Sequence, residues 1–563
     1  MIRLAGGVLH AIMRAPAAIA ALRFAIAVPA RRHIAAAVCC DPLPIGGPAS
    51  IGDDARVPPS PSRTRMTFDE LLADIRHYPI VTDDTRELVA GGVFVYGGGR
   101  AQKDEFLDRA LDAGAALVVS DTDLPQLAPE RVVRVNNRRA ASAELARAFY
   151  GDPSARLLMA AVTGTCGKTT TTYLLESLLR AGGHSVGVIG TENMRYAERV
   201  LPSPNTTPST FVLNRILRDM ADAGCTAVAM EVSSHALEQE RTLAVAFDGM
   251  VFTNLSVEHL DLHETMDNYF AAKARLFTDY VAHARRHGKS PRAAIHVGDA
   301  YGARLYAQLC ASEDFSAHAP VAFSLQPLTQ GLDGSGLRIS AAGITGAIVQ
   351  AGTAAAAIRV DSALIGRFNA ENILGAVALA NELGVPHEAL ECGLREMTPV
   401  PGRMERVVHR SEVSVVVDFA HKPGALDVVL ETLRPLTPGR LICVFGCGGR
   451  RDATKRPVMG QIAAERADIV IVTPDNFRGE SFAGISAEIL AGVDADHRAK
   501  VHVVDERRAA IGHALSLAQA GDTVLIAGRG AETVLSVDAG GEERHVEFDD
   551  RVVAAELAGQ VLI

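Results

Sequence analysis

Apolar residues recur along the chain in two alternating spacings. Short continuous runs such as "LLMAAV" (157–162) predict buried strands, and segments with one apolar face such as "TTTYLLESLLRAGG" (170–183) predict helices. The two types follow each other from residue 66 onward, which is typical of parallel sheets covered by helices. The pattern predicts an α/β fold.

Three groups of such elements predict three domains, at residues 66–153, 154–401 and 402–563. In the second group, "LLMAAV", a glycine loop, the helix and "SVGVIG" (185–190) form a βαβ unit, which predicts a central parallel sheet like that of P-loop ATPases. The third group, from "VSVVVDFA" (413–420) to "DTVLIAG" (522–528), predicts a doubly wound, Rossmann-like domain. Residues 1–65, rich in Ala and Arg, predict a disordered extension or a mis-assigned start, with a targeting segment as the alternative.

Composition narrows the possible partners. The chain has 563 residues and a formal net charge of -10, which argues against a nucleic-acid surface because phosphate neutralisation needs a basic face. The apolar run at 15–22 is far shorter than a membrane span. Eight cysteines without paired CxxC spacing indicate a reduced protein. We expect a cytoplasmic protein that binds neither nucleic acid nor membrane.

The stretch "VTGTCGKTTT" (162–171) has the composition of a phosphate-binding loop. Gly164 and Gly167 allow backbone N–H groups to face one concavity at a helix N-terminus, Lys168 supplies charge, and Thr169 supplies a hydroxyl for magnesium. The usual first glycine is absent, since Val162 stands there. The alternative is a simple turn between strand and helix.

Two segments downstream carry candidate magnesium ligands. Glu231 ends the strand "TAVAMEV" (226–232), and the strand "DGMVFTNL" (248–255) is followed by Glu258, His259, Asp261 and His263. Ligands commonly lie where parallel strands end, and magnesium takes one or two protein oxygens. The alternative is ordinary surface polarity.

Together these segments resemble the ATP-dependent Mur ligases of peptidoglycan synthesis, a superfamily that includes folylpolyglutamate synthetases. Within it the chain is most similar to the MurE type, which adds the third residue of the peptide stem to UDP-MurNAc-L-Ala-D-Glu. The resemblance covers residues 66–563, and the altered loop is itself the family form. The most specific motifs are "GTCGKTT", "NTTP", "EVSSHAL", "TNLSVEHLDLH", "AAKARLF", "LIGRFNAENILGA", "PGRMERV", "FGCGGRRDATKRPVMG", "DNFR" and "FDDR".

The resemblance implies a reaction in which ATP phosphorylates the substrate carboxylate and an amine attacks the acyl phosphate. It implies ATP and Mg²⁺ as cofactors, and carbamylation of Lys273 to a carboxylate-like magnesium ligand. The implied catalytic residues are Lys168, His259 and Lys273, and the implied metal ligands are Thr169, Glu231, His259 and Lys273. The implied nucleotide contacts are Gly164, Thr165, Cys166, Gly167, Lys168, Thr169, Thr170 and Asn369, of which the last also suits a helix cap.

The resemblance also implies two further binding regions. The first domain and its neighbour would hold the UDP-linked substrate, through Asp83, Thr85, the stretch 100–102, Asn205, Thr206, Thr207, Ser233, Gln239 and Arg241. For isolated Thr and Ser residues in loops, turn formation is the alternative role. The amino-acid substrate would meet Arg451, Asp475, Asn476, Phe477, Arg478, Gly528 and Glu532. Arg478 favours meso-diaminopimelate over lysine, because a guanidinium pairs with the distal carboxylate and repels an ammonium.

Several positions depart from the family motifs. Cys166 stands for Asn in the loop, Phe477 for Pro in "DNPR", and "GKGHE" is "GRGAE" (528–532), with Ala531 for His. "DYAHTP" is "DFAHKP" (418–423) and "SRDH" is "SVEH" (256–259). These departures leave open a divergent ligase that joins a different amino acid or acts outside peptidoglycan synthesis. A nucleotide-binding scaffold without catalysis is a third hypothesis.

We expect the protein to be a monomer.

Overall fold

The computed structural model describes residues 65–97, 103–407 and 412–561. Nearly all of the segment 1–65, and the stretch 100–102, therefore lie outside the described residues. The remaining chain forms three α/β units. Each unit consists of one sheet with its helices, and we call the units the first, second (or central) and third layers in chain order.

The first layer is a small sheet of four parallel strands in the order β1-β2-β3-β4, with apolar side chains buried on both faces. Helix α1 starts with a capping box, in which Thr67 and Glu70 bond each other's backbone N–H groups. The elements are α1 (Phe68–Asp74), β1 (Val81–Thr82), β2 (Val93–Val95), α2 (Lys103–Asp112), β3 (Leu117–Ser120), β4 (Val132–Arg134) and α3 (Arg138–Tyr150).

The second layer is a long sheet whose middle strands are parallel and whose ends are antiparallel. Its strands, with β16 joined to β15, follow the order β14-β15-β13-β12-β11-β10-β5-β9-β6-β7-β8. Its elements are β5 (Leu158–Thr163), α4 (Lys168–Ala181), β6 (Val186–Ile189), β7 (Met194–Tyr196), β8 (Arg199–Leu201), α5 (Thr210–Asp222), β9 (Ala227–Glu231), α6 (Ser234–Glu238), β10 (Gly249–Phe252), α7 (Leu260–His263), α8 (Met266–Arg286), β11 (Arg292–His296), α9 (Ala300–Cys310), β12 (Val321–Ser324), β13 (Gly331–Asp333), β14 (Arg338–Ser340), β15 (Gly343–Ala351), β16 (Ile358–Ser362), α10 (Arg367–Glu382) and α11 (His387–Glu396).

The third layer is a sheet in the order β17-β18-β22-β19-β20-β21, parallel except for the short β17. Apolar clusters lie on both of its faces, as in a doubly wound domain. The elements are β17 (Glu405–Arg406), β18 (Ser414–Asp418), α12 (Pro423–Leu433), β19 (Leu441–Phe445), α13 (Lys455–Arg466), β20 (Ile469–Val472), α14 (Phe482–Ala491), β21 (Val501–Val503), α15 (Arg507–Leu517), β22 (Thr523–Ala527), β23 (Val534–Asp538), β24 (Glu543–Glu547) and α16 (Asp550–Val561).

The layers share apolar contacts where they meet. Phe211 of α5 is buried in the core of the first sheet, and Ile365, just before α10, is buried in the core of the third. The α/β fold and the parallel central sheet are as predicted. The antiparallel ends of the central sheet and the hairpin β23–β24 were not foreseen.

Candidate active site

The phosphate-type loop joins β5 to α4, as the sequence predicted. Gly164 and Gly167 have φ of 151° and 86°, values that L side chains rarely adopt. A Cβ on Gly164 would lie 1.9 Å from Thr253 Oγ1, and one on Gly167 would lie 2.2 Å from Asn372 Oδ1. Both glycines are therefore required by conformation and by space.

The loop is fastened to the end of the neighbouring strand β10. Asn254 accepts a hydrogen bond from the Cys166 N–H through Oδ1 (2.9 Å), and Thr253 Oγ1 donates to the Cys166 carbonyl (2.6 Å). These bonds use the backbone of Cys166 and leave its side chain exposed. The loop conformation therefore does not depend on the asparagine that the family motif has at this position.

Two lysines meet at the loop. Lys168 Nζ and Lys273 Nζ both donate to the Gly164 carbonyl, at 2.9 and 2.8 Å. Lys273 is 1% exposed and lies over the Tyr269 ring, 4.7 Å from its centroid. Burial, together with the nearby Lys168 cation, lowers the pKa of Lys273 well below its ordinary value. Lys273 is therefore a buried amine biased toward its neutral form.

Glu231 stands at the end of β9, opposite Val162 of β5 in the sheet. Its carboxylate is buried and accepts hydrogen bonds from the N–H and the hydroxyl of Thr191, at 2.8 and 3.0 Å. Thr169 lies in the first turn of α4, on the other side of the loop. Glu231 and Thr169 therefore offer the oxygen donors that Mg²⁺ prefers.

His259 precedes α7 with a left-handed backbone, φ 56°. Burial lowers its pKa, which favours the neutral imidazole that can ligate a metal. No group of three His, Cys, Asp or Glu side chains placed to hold a metal occurs among the described residues. Glu231 and His259 therefore need a further donor to complete a site.

Sequence reasoning named His259 and His263 but missed Tyr269 and His235, which complete an aromatic group near Lys273. His263 stacks on Tyr269 with ring centroids 5.0 Å apart, and His235 packs edge-on to His259 at 4.8 Å. Tyr269 lies one helical turn before Lys273, and its hydroxyl is 3.3 Å from Thr165 Oγ1. The i, i+4 spacing was visible in the sequence, but an aromatic residue on a helix face ordinarily indicates core.

The residues expected to bind the UDP-linked substrate gather behind Glu231. Thr207 Oγ1 donates to the Glu231 carbonyl (2.9 Å), and Arg241 donates to the Thr207 carbonyl and to Gln239 Oε1. Thr206 Oγ1 accepts a hydrogen bond from Thr191 Oγ1. Ser233 Oγ caps α6 by accepting from the Ala236 N–H. The structure brings these residues together, and Ser233 also has the cap role.

A cleft of about 580 Å³ separates the first and second layers. It is lined by Asp83 and Thr85 on one side and by Asn205 on the other. Burial raises the pKa of Asp83, and the Arg138 guanidinium opposes that shift. The N-terminal residues expected to bind substrate thus face the central residues across one opening.

Asn369 has a different environment from the one its expected adenine contact suggests. It is 2% exposed, its Nδ2 donates to the Ile365 carbonyl (2.9 Å) and its Oδ1 accepts from Asn372 (3.1 Å). Asn372 in turn lies against Gly167. In this conformation Asn369 supports the loop through Asn372.

The residues expected to meet the amino acid lie at the strand ends of the third layer. Asp475 to Arg478 follow β20, and Gly528 and Glu532 follow β22. Asn476 Nδ2 joins the two segments by donating to Glu532 Oε2 (3.1 Å). Burial raises the pKa of the Glu532 carboxyl.

Arg478 has a left-handed backbone, φ 45°, and its Nη1 lies 2.6 Å from where a Cβ on Gly448 would be. Arg451 is exposed. Arg478 is partly exposed. Two guanidinium groups are thus available at this end of the sheet.

Two ion pairs cross from the central layer to the third. Lys422 Nζ lies 2.6 Å from Glu258 Oε1, and Arg403 Nη2 lies 3.0 Å from Glu192 Oε1. Glu258 adjoins His259, and Lys422 precedes α12. The third layer therefore contacts the central layer next to the proposed metal ligands.

Comparison with known proteins decides the family. Residues 162–380 match the Mur ligase middle domain, and residues 402–530 match the Mur ligase glutamate ligase domain. The chain is 40% identical over 488 residues to the UDP-N-acetylmuramoyl-L-alanyl-D-glutamate--2,6-diaminopimelate ligase of Geobacter metallireducens, covering 83% of this chain and 91% of that one. The chain belongs to the Mur ligase family, and within it to the MurE type. The resemblance predicted from the motifs is confirmed.

Other relatives agree with this assignment. The ligase of the same name from Gloeobacter violaceus is 40% identical over 504 residues, which cover 87% of this chain and 98% of that one. A solved structure of a ligase of this name superposes with a TM-score of 0.63 at 32% identity, covering 86% of this chain and 95% of that one. A MurF ligase from Thermotoga maritima, solved in complex with ADP, shares the fold at 18% identity and a TM-score of 0.52, covering 86% of this chain and 96% of that one. Within the described residues of this Mur ligase, no helix is long and apolar enough to cross a membrane.

Proposed function

We propose that this Mur ligase is an ATP-dependent amide ligase that adds meso-2,6-diaminopimelate to UDP-MurNAc-L-Ala-D-Glu during peptidoglycan precursor synthesis. The observation that carries the proposal is about 40% identity, over 83% and 87% of this chain, to ligases named for that reaction. The loop at 164–169, with its two required glycines and its lysine, supports ATP as the energy source. We place the reaction in the cytoplasm and expect a monomer to carry it out.

The chemistry needs an activated carboxylate, because a free carboxylate is a poor electrophile. The γ-phosphoryl group of ATP passes to the terminal carboxylate of the UDP-linked dipeptide, ADP leaves, and an acyl phosphate forms. The amine then attacks the carbonyl carbon, phosphate leaves with the bonding electrons, and the amine loses a proton. Phosphoryl transfer depends on positioning and charge neutralisation, which the loop N–H groups and Lys168 provide.

In this mechanism Lys168 exchanges partners. Its ammonium donates to the carbonyls of Gly164 and Thr165, both at 2.9 Å, so it lies at the loop mouth before nucleotide binds. Phosphate oxygens carry full negative charge and outcompete carbonyl oxygens for an ammonium. The loop carbonyls therefore hold the lysine in place for the nucleotide.

The side chains around the loop include the types of ligand atom that a magnesium ion binds. Glu231 supplies a carboxylate, Thr169 a hydroxyl and His259 an imidazole. A carbamate on Lys273 would supply another oxygen, and forms when a neutral amine attacks carbon dioxide and releases a proton. The buried, neutral-biased Lys273 suits that reaction. Bound magnesium neutralises phosphate charge in such sites.

Diaminopimelate is proposed as the amine because of Arg478. The distal carboxylate of this substrate would receive a bidentate pair from the guanidinium, and Arg451 adds positive charge nearby. Asp475, Asn476, Gly528 and Glu532 would hold the α-amino end. Lysine has an ammonium where diaminopimelate has its distal ammonium and carboxylate, so Arg478 discriminates against it.

The deciding experiment is phosphate release by the purified full-length protein with ATP, Mg²⁺ and UDP-MurNAc-L-Ala-D-Glu. We expect release with meso-diaminopimelate and at least about 100-fold less kcat/KM with L-lysine, since a repelled ammonium and an unpaired guanidinium both cost binding. Arg478→Ala should reduce the preference for meso-diaminopimelate over L-lysine in kcat/KM. Release with another amine alone would indicate a divergent ligase, and ATP binding without release on any amine would indicate a scaffold.

A further inference from the structure

The loop carrying Phe477 and Arg478 is attached to the hairpin β23–β24 through one residue, Ser536. The Phe477 N–H donates to the Ser536 carbonyl (2.8 Å), and the Ser536 N–H donates to Asn476 Oδ1 (2.9 Å). Ser536 Oγ lies 3.4 Å from the Arg478 N–H. The loop thus pairs with the outer edge of β23 as a short third strand would.

The bond from Phe477 exists because of a departure from the family motif. The motif has proline at this position, and proline fixes its own φ but has no N–H to donate. Phenylalanine leaves the unbound loop with more conformations to lose on ordering. In this chain the loop is held from outside, by the hairpin.

The hairpin is in turn held by a second departure, Arg529. A two-stranded hairpin is marginally stable by itself, so its position depends on its attachments. Arg529 is fully buried, and its Nη2 lies 3.1 Å from the Val534 carbonyl and 3.2 Å from the Phe548 carbonyl, on either side of the hairpin. Its Nη1 lies 3.5 Å from Asn476 Oδ1.

The family motif has lysine where Arg529 stands. A lysine has a single nitrogen on a flexible stem, whereas the planar guanidinium presents several donors in fixed directions. The single Nη2 bonds both ends of the hairpin, and the second nitrogen, Nη1, which a lysine lacks, reaches Asn476 at the same time. Arg529 therefore connects the hairpin base to the loop that carries Arg478.

We propose that Arg529 is a positioning residue for the amino-acid site, which acts through the hairpin β23–β24 and Ser536 to hold Arg478 where a proline holds it in related ligases. The inference rests on the proposed function, because it assigns Arg478 to the amino-acid carboxylate. Arg529 itself is fully buried, and its contacts are to protein groups, namely the hairpin, Asn476 and Glu532.

The test is a double-mutant cycle between the two departures, each changed to the residue of the family motif. In the wild-type background, Arg529→Lys is expected to raise KM for meso-diaminopimelate about fivefold to tenfold, as for loss of one typical hydrogen bond, while KM for ATP stays within about twofold. In the Phe477→Pro background the same change is expected to alter KM for diaminopimelate by less than about twofold, because proline fixes the loop.

Arg440→Lys is the matched control. Arg440 precedes β19, at the end of the parallel strands opposite to Arg529, and bonds Asp522 and the Leu517 carbonyl, so its change should leave both KM values within about twofold. Equal effects of Arg529→Lys in both backgrounds, or equal rises in both KM values, would overturn the inference.

A second measurement tests the inference even if a variant does not fold or the enzyme has no activity. In wild type, amide exchange resolved at residue level should show the Phe477 N–H protected, and Ser536→Ala should reduce protection at the Arg478 N–H. Exchange of the Phe477 amide at the rate of an unstructured peptide would refute the attachment. Absence of phosphate release with protection intact would refute the proposed function alone.

Discussion

At the scale of single residues, the site depends on amines that are held in unusual environments. Lys168 and Lys273 share one carbonyl acceptor, which brings two potential cations together. Only one needs to be charged, and burial selects Lys273 as the neutral one. A neutral lysine amine is a nucleophile, so the environment that weakens it as a cation suits it to carbamylation.

Lys273→Ala is accordingly expected to reduce ligase turnover by at least about 1,000-fold, as for removal of a group that organises the charge at a phosphoryl-transfer site. Millimolar formate, acetate or propionate should restore part of the activity, since a small carboxylate can occupy the space that a carbamate would fill. Phosphate release against carboxylate concentration measures this. Lys289→Ala is the control, because Lys289 is also a buried lysine but pairs with Asp248, and a carboxylate should not rescue any loss there. Failure of every carboxylate to rescue Lys273→Ala would contradict the carbamate role.

At the scale of elements, the sequence predicted regular alternation well and irregular attachment poorly. The unit β5, loop and α4 was predictable because its apolar runs and glycines are local signals. The antiparallel pairings among β13 to β16 were missed, because these half-polar segments with several glycines show little regular spacing of apolar residues. The pairing of Ser536 with Phe477 was also invisible, because it joins loops far apart in sequence. Tyr269 was missed for a different reason, since its role depends on what its ring covers.

The loop element can be tested with two glycines at opposite ends of α4. Gly167 and Gly183 have nearly equal φ, 86° and 92°, so alanine strains the backbone similarly, by about 1 kcal/mol, at either position. A Cβ at Gly167 meets Asn372 at 2.2 Å, whereas a Cβ at Gly183 meets nothing within 4 Å. We therefore expect Gly167→Ala to raise KM for ATP at least about tenfold and Gly183→Ala to leave it within about twofold, while both lower Tm by a few degrees. Equal KM values in the two variants would show that the loop shape does not govern nucleotide binding.

At the scale of the whole molecule, two departures from the family motifs meet where the central layer contacts the third. Glu258 is longer than the aspartate of the motif by one methylene, and Lys422 replaces a threonine, and the two form an ion pair between the central and third layers. The motif pair, aspartate and threonine, cannot form such an ion pair. The pair lies beside His259, so it connects the position of the third layer to the region where ATP is expected to react.

A double-mutant cycle with Lys422→Thr and Glu258→Gln tests this connection. Both side chains are partly exposed, at 50% and 26%, so the pair should stabilise the contact by about 0.2–1 kcal/mol, which is a coupling of about 1.4-fold to fivefold in kcat/KM. Glu258 also faces His259 at 3.8 Å, and the cycle cancels that second effect of Glu258→Gln because it is present in both backgrounds. The coupling should shrink on raising salt from 0.05 to about 0.5 M, because exposed charges are screened. Arg508 and Glu556, similarly exposed at 44% and 50% but both within the third layer, are the control pair, and their cycle should show no coupling in kcat/KM. Additive effects of Lys422→Thr and Glu258→Gln at low salt would mean that the ion pair does not help to bring the two layers together during the reaction.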